Sequence, residues 1–474
     1  MADEKQQQQQ QRPVPWPSNF LHYINLLYPP PPRRPAPLIT TSCKFQQTLF
    51  QDLTNLVAHS KHDKTKFMAK DYPAGDLDVV DGDADAGGLS RYVYRIFTYG
   101  SLPKHSDFFR HPNGLNCRGT MFLVDTVYGD AQLIALPMQK FFNYGEGAAG
   151  AHAPDRVENA LRAYLKVDGS LLTSYICPFQ HKLKFKSRNM PTYREYEVVE
   201  RSISEELKAE LSKLTSSNVS VDLELTTPDN IVVIEYADYA VHVLKARSTR
   251  TGNYIDIRSS EFASQYPTIA AHLVEEIPIS QVDVTRTDIE GYVLDMPDGR
   301  MVKYKTLPYL STAAALNALR QRHSDKKTMA TSLYKAAADG MLDKVRSLYR
   351  LWAAQRQIND FPLTQLLEQL KKVEAFAKET LDHLIRTVET FYEENKHLAR
   401  SDYARKVKAN AELIGPLLPH ALMCKYLDKD INFKELAVRL YAHKAPIDTI
   451  VVHIMNQQGR SLPSIPNVVA GEQE

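Results

Sequence analysis

One lysine of this chain lies where it could serve as a nucleophile. The stretch Tyr164–Ser174 reads YLKVDGSLLTS, with Lys166 just before the pair Asp168-Gly169. An Asp-Gly pair between two apolar runs is typical of a β-hairpin, which would hold the amine rigidly. A deprotonated lysine amine attacks phosphoryl or carbonyl centres. The alternative for a lone K-x-D-G is an exposed strand lysine without a chemical role, so other residues must support the chemical interpretation.

Charged residues recur in other predicted strands, where a solvated position is the ordinary explanation for each one alone. Lys303 and Lys305 alternate in MVKYKT and therefore point to one side of a strand. Together these residues predict a cleft lined by both signs of charge. Its cations would favour the neutral amine of Lys166 and offset charge on a phosphate, and its carboxylates would hold magnesium. The other members are Arg118 in CRGTMF, Lys140 after LPMQ, Glu224 in VDLELTT and Glu290 in EGYVLDM.

The composition excludes several classes of protein. The 474 residues carry 58 Lys and Arg against 56 Asp and Glu, and a net charge of +2 predicts no partner by itself. Four scattered cysteines without a C-x-x-C pair argue against a zinc site or a disulfide scaffold. No apolar run approaches the roughly 20 residues of a membrane span, and the N-terminus is unlike a signal peptide. We therefore expect an intracellular protein, cytoplasmic or nuclear, without membrane association.

Low-complexity sequence marks the N-terminus. The runs QQQQQQ and PPPPRRPAP predict a disordered tail over residues 1–37. An amphipathic helix is predicted from about Lys44 to Ala58. The acidic stretch Asp76–Gly88 starts like a calcium loop but lacks the glycine and glutamate that such a loop needs at its sixth and twelfth positions. We predict a solvated loop there.

Two patterns divide the rest of the chain. From residue 92 to about 311, short β-branched and aromatic runs alternate with turn signals, which predicts a strand-rich α+β fold. These runs include NIVVIEYADYAVHVLKAR from Asn230 to Arg247, and PDG at Pro297–Gly299 predicts a hairpin. After Thr312 alanine, leucine, lysine and glutamate dominate, which predicts an all-helical domain. Helical spacing is kept by Leu363, Leu366, Leu367, Leu370, Val373 and Phe376, and again by Leu381, Leu384, Ile385, Val388 and Tyr392.

The order of these motifs resembles the covalent nucleotidyltransferases, the ligases and mRNA capping enzymes that join AMP or GMP to a lysine. Their signature is K-x-D-G, a later strand glutamate, E-G-hydrophobic-V and K-x-K. This chain has in that order Lys166-Val-Asp168-Gly169, Glu224, Glu290-Gly-Tyr-Val and Lys303-Tyr-Lys305.

Within that superfamily the chain is similar to the T-even bacteriophage RNA ligase 1 family, the tRNA-repair type of ATP-dependent RNA ligase. The similarity runs from about Tyr92 through YRIFTY, CRGTMFLVD, LPMQKFFNYGE, YLKVDGSLLTSY, KFKSR and EGYVLDMPDGRMVKYKT. It continues into the helical domain through ADGMLDKVRSLY and VEAFAKETL.

The resemblance implies a fold, domains and roles for individual residues. It implies a nucleotidyltransferase domain with ATP-grasp-like antiparallel sheets over residues 38–312, then an all-helical RNA or tRNA-specificity domain over 313–474. The implied catalytic residues are Lys166 as nucleophile, Asp168, Glu290, Lys303 and Lys305. The implied ATP-binding residues are Lys166, Glu290, Lys303 and Lys305 again, with Tyr99, Arg118, Lys140, Gly169, Arg188 (where the family usually has lysine) and Glu224. The implied metal ligands are Asp168, Glu290 and, through a local alignment, Asp343.

The implied reaction is ATP-dependent sealing of RNA by a monomer with Mg²⁺, or Mn²⁺ in its place. A lysyl-AMP intermediate forms, AMP moves to a 5′-phosphate, and a 3′-hydroxyl displaces it. The implied partner is RNA with these ends, tRNA or another structured RNA. Because the chain has no G-x-x-x-x-G-K-[ST] phosphate loop, the ends must be prepared elsewhere, which implies a kinase or phosphatase partner.

Several alternatives remain open from the sequence. A DNA ligase or capping enzyme is disfavoured because those enzymes usually follow K-x-K with a β-rich domain. A catalytically inactive RNA-binding protein is a further alternative. Deleting Thr312–Glu474 is expected to spare AMP labelling and to reduce discrimination for broken tRNA. In that region a solvated helix face or an RNA platform is formed by Arg386, Lys396, Arg400, Arg405, Lys406 and Lys408.

Overall fold

Strands dominate the first part of the chain and helices the last part. The predicted tail and most of the acidic loop lie outside the described residues. The computed structural model describes residues 43–60, 67–78, 89–100, 111, 113–145, 156–192, 196–320, 325–355, 360–410, 418–444 and 447–461.

The first sheet is an antiparallel meander of four strands with a helix on one face. Its order is β1-β2-β3-β4. Helix α1, Lys44–Ser60, buries Leu49, Leu53 and Leu56 against this sheet, so the amphipathic helix predicted there is confirmed. The strands are β1 Phe67–Pro73, β2 Tyr92–Tyr99, β3 Thr120–Asp125 and β4 Ala131–Ala135.

Two further sheets of five strands follow. Their strands are β5 Phe142–Asn143, β6 Arg162–Lys166, β7 Ser170–Ile176, β8 Leu183–Lys186, β9 Val219–Thr226, β10 Ala240–Ser248, β11 Tyr254–Ile255, β12 Glu276–Ile277, β13 Gly291–Asp295 and β14 Met301–Lys305. The second sheet has the order β11-β10-β9-β7-β8, and the third has β12-β6-β13-β14-β5. All pairings are antiparallel except that of β5 with β14. The α+β class with antiparallel sheets is confirmed.

The hairpin predicted around Asp168-Gly169 is wrong. Strand β6 pairs with β12 and β13 in the third sheet, whereas β7 pairs with β8 and β9 in the second. The segment between them crosses from one sheet to the other. Its glycine is required by close approach, because a Cβ on Gly169 would overlap the carbonyl oxygen of Leu225. By contrast, the hairpin predicted at Pro297–Gly299 is confirmed, since β13 and β14 pair directly and Gly299 adopts a φ of +80°.

The predicted strand run from Asn230 to Arg247 is a strand only from Ala240 onward. The earlier part is irregular although it is β-branched and apolar. The backbone amides of Val233 and Ile234 bind the carboxylate of Asp168 and are therefore not available to a ladder. Tertiary hydrogen bonding here outweighs local β-propensity.

Helices cover the second sheet and form the C-terminal region. The helices against the second sheet are α2 Tyr196–Ser202, α3 Glu205–Ser216, α4 Ser260–Gln265 and α5 Pro267–Ala271. The "helical region" consists of α6 Leu307–Arg320, α7 Lys326–Ala338, α8 Leu342–Gln355, α9 Asp360–Asn395, α10 Arg400–Ala409, α11 Leu418–Tyr426, α12 Phe433–Tyr441 and α13 Ile447–Ser461. Short 3-10 turns lie at Ala74–Asp76, Gly114–Asn116, Val157–Asn159 and Ile279–Gln281.

The predicted helical region is confirmed, and it begins earlier in the chain than expected. Helix α6 starts at Leu307, directly after β14, whereas the predicted domain starts at residue 313. Both leucine-rich patterns lie on the one helix α9. Val233, Ile234 and Tyr309 belong to the same core as these helices. The division into two domains stays a prediction.

Among the described helices, none is both long enough and apolar enough to cross a bilayer.

Candidate active site

The third sheet places two of the predicted lysines on either side of one glycine. Gly291 of β13 pairs with Lys166 of β6 on one side and with Lys305 of β14 on the other. Residues in one row of a sheet project to the same face, so both amines lie on that face. A Cβ on Gly291 would overlap the carbonyl oxygen of Tyr304, and its φ is +151°, so no other residue fits between the strands.

Glu290 joins the two amines. Its Oε2 lies 2.8 Å from the Nζ of Lys166, and its Oε1 lies 3.1 Å from the Nζ of Lys305. The carboxylate is 2% exposed. Because one carboxylate is shared by two ammonium groups, the trio retains a positive charge, and a buried positive charge favours a bound anion.

A second pair of cations lies against one aromatic ring. The guanidinium of Arg118 lies 5.7 Å from the ring centre of Phe141, and the Nζ of Lys303 lies 5.0 Å from it. Both cations are buried. The structure thus places Arg118 and Lys303 together, as the sequence predicted.

A third pair lies on the ring of Tyr99, at the end of β2. The Nζ of Lys140 lies 5.2 Å from the ring centre and the guanidinium of Arg188 lies 4.8 Å from it. Tyr99, Lys140 and Arg188 are all predicted ATP-site residues, and the ring of Tyr99 brings them together. Their roles toward ATP stay predictions.

Glu224 on β9 interacts electrostatically with Lys166 and Arg118. Its Oε1 accepts a hydrogen bond of 3.1 Å from the backbone amide of Gly169. Burial, together with the nearby charges of Glu290 and Asp168, raises the pKa of Glu224 to about 7, against the lowering effect of Lys166 and Arg118. The carboxyl therefore changes charge near neutral pH.

This shift predicts a pH-dependent stability effect. The folded chain binds the proton of Glu224 more tightly than an unfolded chain, whose glutamate pKa is near 4.5, so this group's contribution to stability falls as pH rises from 5 to 8. Glu224→Gln removes the effect. Relative to the parent chain, we expect the unfolding free energy of the variant to rise by about 2–3 kcal/mol from pH 5 to pH 8. Urea unfolding at both pH values measures this difference.

The control is Glu205→Gln, because that side chain is 87% exposed. A difference between Glu224→Gln and the parent that does not change with pH would contradict the assignment.

Asp168 faces the protein rather than open space. Its Oδ2 accepts hydrogen bonds from the amides of Val233 at 2.8 Å and Ile234 at 2.9 Å, and its Oδ1 accepts one from the hydroxyl of Tyr309 at 2.7 Å. Its own amide donates to the hydroxyl of Tyr236 at 3.0 Å. Burial and the charge of Glu290 raise the pKa of Asp168. These contacts show that Asp168 has a structural role, and its role as a metal ligand stays a prediction.

Sequence reasoning missed Tyr309. Nothing in its local sequence distinguishes it from other core aromatic residues, yet it touches two predicted site residues. Besides the bond to Asp168, its ring lies 5.1 Å from the Nζ of Lys305.

We expect Tyr309→Phe to lower the free energy of unfolding by about 1.5–3 kcal/mol, the usual contribution of a hydrogen bond to a charged group. The matched control is Tyr334→Phe, a buried tyrosine of the same core whose hydroxyl shares a hydrogen bond of 2.5 Å with the neutral Thr380. The control should lose only about 0.5–1.5 kcal/mol. Urea unfolding of the two variants tests the expectation, and equal losses would contradict it.

Asp343 is exposed, unlike the other two predicted metal residues, which are buried. It is at the start of α8, is 82% exposed and forms an ion pair with Arg346. No cluster of three His, Cys, Asp or Glu side chains suited to a metal occurs within the described ranges. The metal role of Asp343 stays a prediction.

The predicted basic stretch lies on α9, the turn that follows it and α10. All six of its residues are exposed. Lys396 is paired with Glu393 at 2.5 Å, and Arg405 is paired with Asp402 at 2.9 Å. An RNA platform and a solvated face both fit these contacts, so the platform stays a prediction.

A lysine amine held by a buried carboxylate among further cations is the kind of site that covalent nucleotidyltransfer needs. This is the class of protein that the motifs resemble. No family model matches the chain.

The chain is similar to RNA ligase 1 of bacteriophage TS2126. The two are 27% identical over 193 residues, which cover 37% of this chain and 43% of the relative. The chain therefore matches less than half the length of this curated relative.

Solved structures of ligases also match parts of the chain. An archaeal ATP-dependent RNA ligase is 10% identical, with coverage of 77% of this chain and 89% of that chain and a TM-score of 0.37. A putative ATP-dependent DNA ligase from Aquifex aeolicus is 12% identical, with coverage of 76% and 88% and a TM-score of 0.36. Superposition at these TM-scores is partial.

Proposed function

We propose that this chain is an ATP-dependent RNA ligase that joins a 5′-phosphate to a 3′-hydroxyl through AMP bound to Lys166. The observation that carries the proposal is the pair of amines, Lys166 and Lys305, on the single buried carboxylate of Glu290. The similarity to an RNA ligase 1 supports RNA as the substrate. ATP as the nucleotide is what the resemblance of the motifs to the ATP-dependent RNA ligases implies.

Lys166 performs the first chemical step. Its amine, after losing a proton, forms a bond from nitrogen to the α-phosphorus of ATP. The bond from that phosphorus to the bridging oxygen breaks, and pyrophosphate leaves with the electron pair. Glu290, at 2.8 Å from Nζ, orients the amine at the end of β6. An oriented nucleophile lowers the entropic part of the barrier.

The other cations bind and stabilise the phosphates. Lys305 shares Glu290 with the nucleophile, so it lies beside the reacting phosphorus. Lys303 and Arg118 extend the positive charge along the ring of Phe141. Because Lys303 and Arg118 are buried and Lys305 is only 16% exposed, their charges are little screened by water and stabilise the negative charge that develops on the phosphates.

A divalent metal ion fits this site through Glu290. Magnesium in nucleotide sites is commonly held by one or two carboxylates together with substrate phosphates. Glu290 supplies such a carboxylate, and the metal would withdraw charge from the phosphate oxygens. Mg²⁺ is the natural candidate and Mn²⁺ a substitute; a Naegleria gruberi RNA ligase was solved with ATP and Mn.

The later steps use RNA. The lysyl-AMP transfers AMP to the RNA 5′-phosphate, and the 3′-hydroxyl then attacks that phosphorus and expels AMP. Covalent catalysis replaces one difficult displacement by three easier ones, each of which has a good leaving group. We propose tRNA or another structured RNA as the substrate of a monomer, with a separate kinase or phosphatase preparing the ends.

Transfer of label from α-labelled ATP tests the proposal. The protein is first treated with pyrophosphate to remove AMP already bound, then incubated with Mg²⁺ and labelled ATP or GTP. We expect an acid-labile label from ATP alone, and sealing of RNA with a 5′-phosphate and a 3′-hydroxyl. Label from GTP alone would favour a capping enzyme. Absence of label from both nucleotides would favour an inactive RNA-binding protein.

A further inference from the structure

Besides the bond from the amide of Asp168 to Tyr236, four hydrogen bonds to carboxylates hold the segment that follows the nucleophile, and three of these four end on Asp168. Two come from the backbone amides of Val233 and Ile234 and one from the hydroxyl of Tyr309. The fourth runs from the amide of Gly169 to Glu224. Asp168 is only two residues from Lys166, so these bonds fix the end of the strand that carries the amine.

The donors on Asp168 are anchored outside the sheets. The side chains of Val233, Ile234 and Tyr309 are buried in the core of the helical region, together with Leu333 and Leu370. Val233 is 1% exposed. Buried side chains at native packing density cannot shift independently of their neighbours. The amides that bind Asp168 are therefore held in place by helices that begin at Leu307.

A separate contact joins the same two parts of the chain. The Nζ of Lys344, on α8, donates a hydrogen bond of 3.2 Å to the carbonyl oxygen of Thr287. Thr287 lies three residues before Glu290. Both residues that define the amine's position, Asp168 and Glu290, thus lie close to points where the helical region touches the sheets.

We propose that Val233 and Ile234 are positioning residues that couple the packing of the helical region to the nucleophile, so that this packing sets the rate of adenylylation. The inference rests on the proposed function and deepens it. Without the helical core, the side chains of Val233 and Ile234 would be exposed and their amides would no longer be held against Asp168.

The test compares two cavity variants of the full chain. Val233→Ala and Val388→Ala remove the same atoms from the same core, and both side chains are buried. Val388 lies on α9 and donates nothing to Asp168. At a temperature where both variants are folded, we expect Val233→Ala to lower the labelling rate at saturating ATP at least about tenfold. Val388→Ala should change it less than about twofold.

A second readout separates positioning from loss of stability. Sealing of RNA that is already adenylylated does not use the Lys166 amine, so Val233→Ala should retain it within about twofold. A merely destabilised variant would lose both activities together. If Val233→Ala folds poorly, Ile234→Val removes one methyl group instead and should give a smaller loss confined to labelling.

Equal labelling rates for Val233→Ala and Val388→Ala would overturn the inference. So would parallel losses of labelling and sealing in Val233→Ala. Failure of the parent chain to label, after treatment with pyrophosphate, would instead refute the proposed function.

Discussion

We expect Lys166→Ala to abolish labelling by ATP and to retain the sealing of RNA that arrives already adenylylated. Only the first two steps need the amine, because the third is an attack by the RNA hydroxyl. The variant should remain folded, since Glu290 keeps its ion pair with Lys305 at 3.1 Å. Labelling falls below detection, whereas sealing of adenylylated RNA is measured by the lengthened product on a gel.

Lys245→Ala is the matched control for this substitution. Lys245 also forms an ion pair of 2.8 Å, with Asp295, and it is 21% exposed against 18% for Lys166. Asp295 keeps a hydrogen bond from Tyr164 in that variant. The control should label normally. A folded Lys166→Ala protein that failed on adenylylated RNA would show that the lysine acts beyond the first two steps.

Gly169→Ala should reduce labelling about a hundredfold or more and destabilise the chain by about 1–3 kcal/mol. The added Cβ would overlap the carbonyl oxygen of Leu225, which is part of β9 and has no room to move independently of its sheet. The segment between β6 and β7 must then shift and carry Lys166 with it. Labelling rates and urea unfolding measure the two effects.

Gly75→Ala provides the comparison. A Cβ on Gly75 meets only the Cβ of Leu89, at 3.9 Å, which is ordinary contact. The same substitution there should leave labelling unchanged within about twofold and stability unchanged or slightly improved. Similar behaviour of the two glycine variants would mean that close approach does not constrain the nucleophile.

The sequence correctly predicted the elements whose conformation depends on residues close together in the chain. Helix α1, strand β2 and the Pro297–Gly299 hairpin follow from periodicity and turn chemistry within a few residues. The ordered motifs around Lys166 and Lys305 also indicated which charged residues to compare. The structure brings Lys166, Glu290 and Lys305 together because β6, β13 and β14 are neighbours in one sheet.

The errors arose where distant residues decide the local conformation. Asp168-Gly169 has the chemistry of a tight turn, but the edges of both flanking strands are occupied by other partners. The run at Val233 and Ile234 has strand propensity, but its amides bind a carboxylate 65 and 66 residues earlier in the chain. Tyr309 binds the same carboxylate from 141 residues away. No window of sequence contains both partners of such a contact.

The hydrogen bonds between Asp168 and the helical core have a reciprocal consequence. If packing of the helices influences how easily Lys166 accepts AMP, then AMP on Lys166 must influence the helices by the same free energy. The enzyme would thus exist in two forms whose C-terminal helices differ in opening free energy. Amide hydrogen exchange in α6 and α8 would differ between the two forms. The helical region would in this way respond to whether Lys166 already carries AMP.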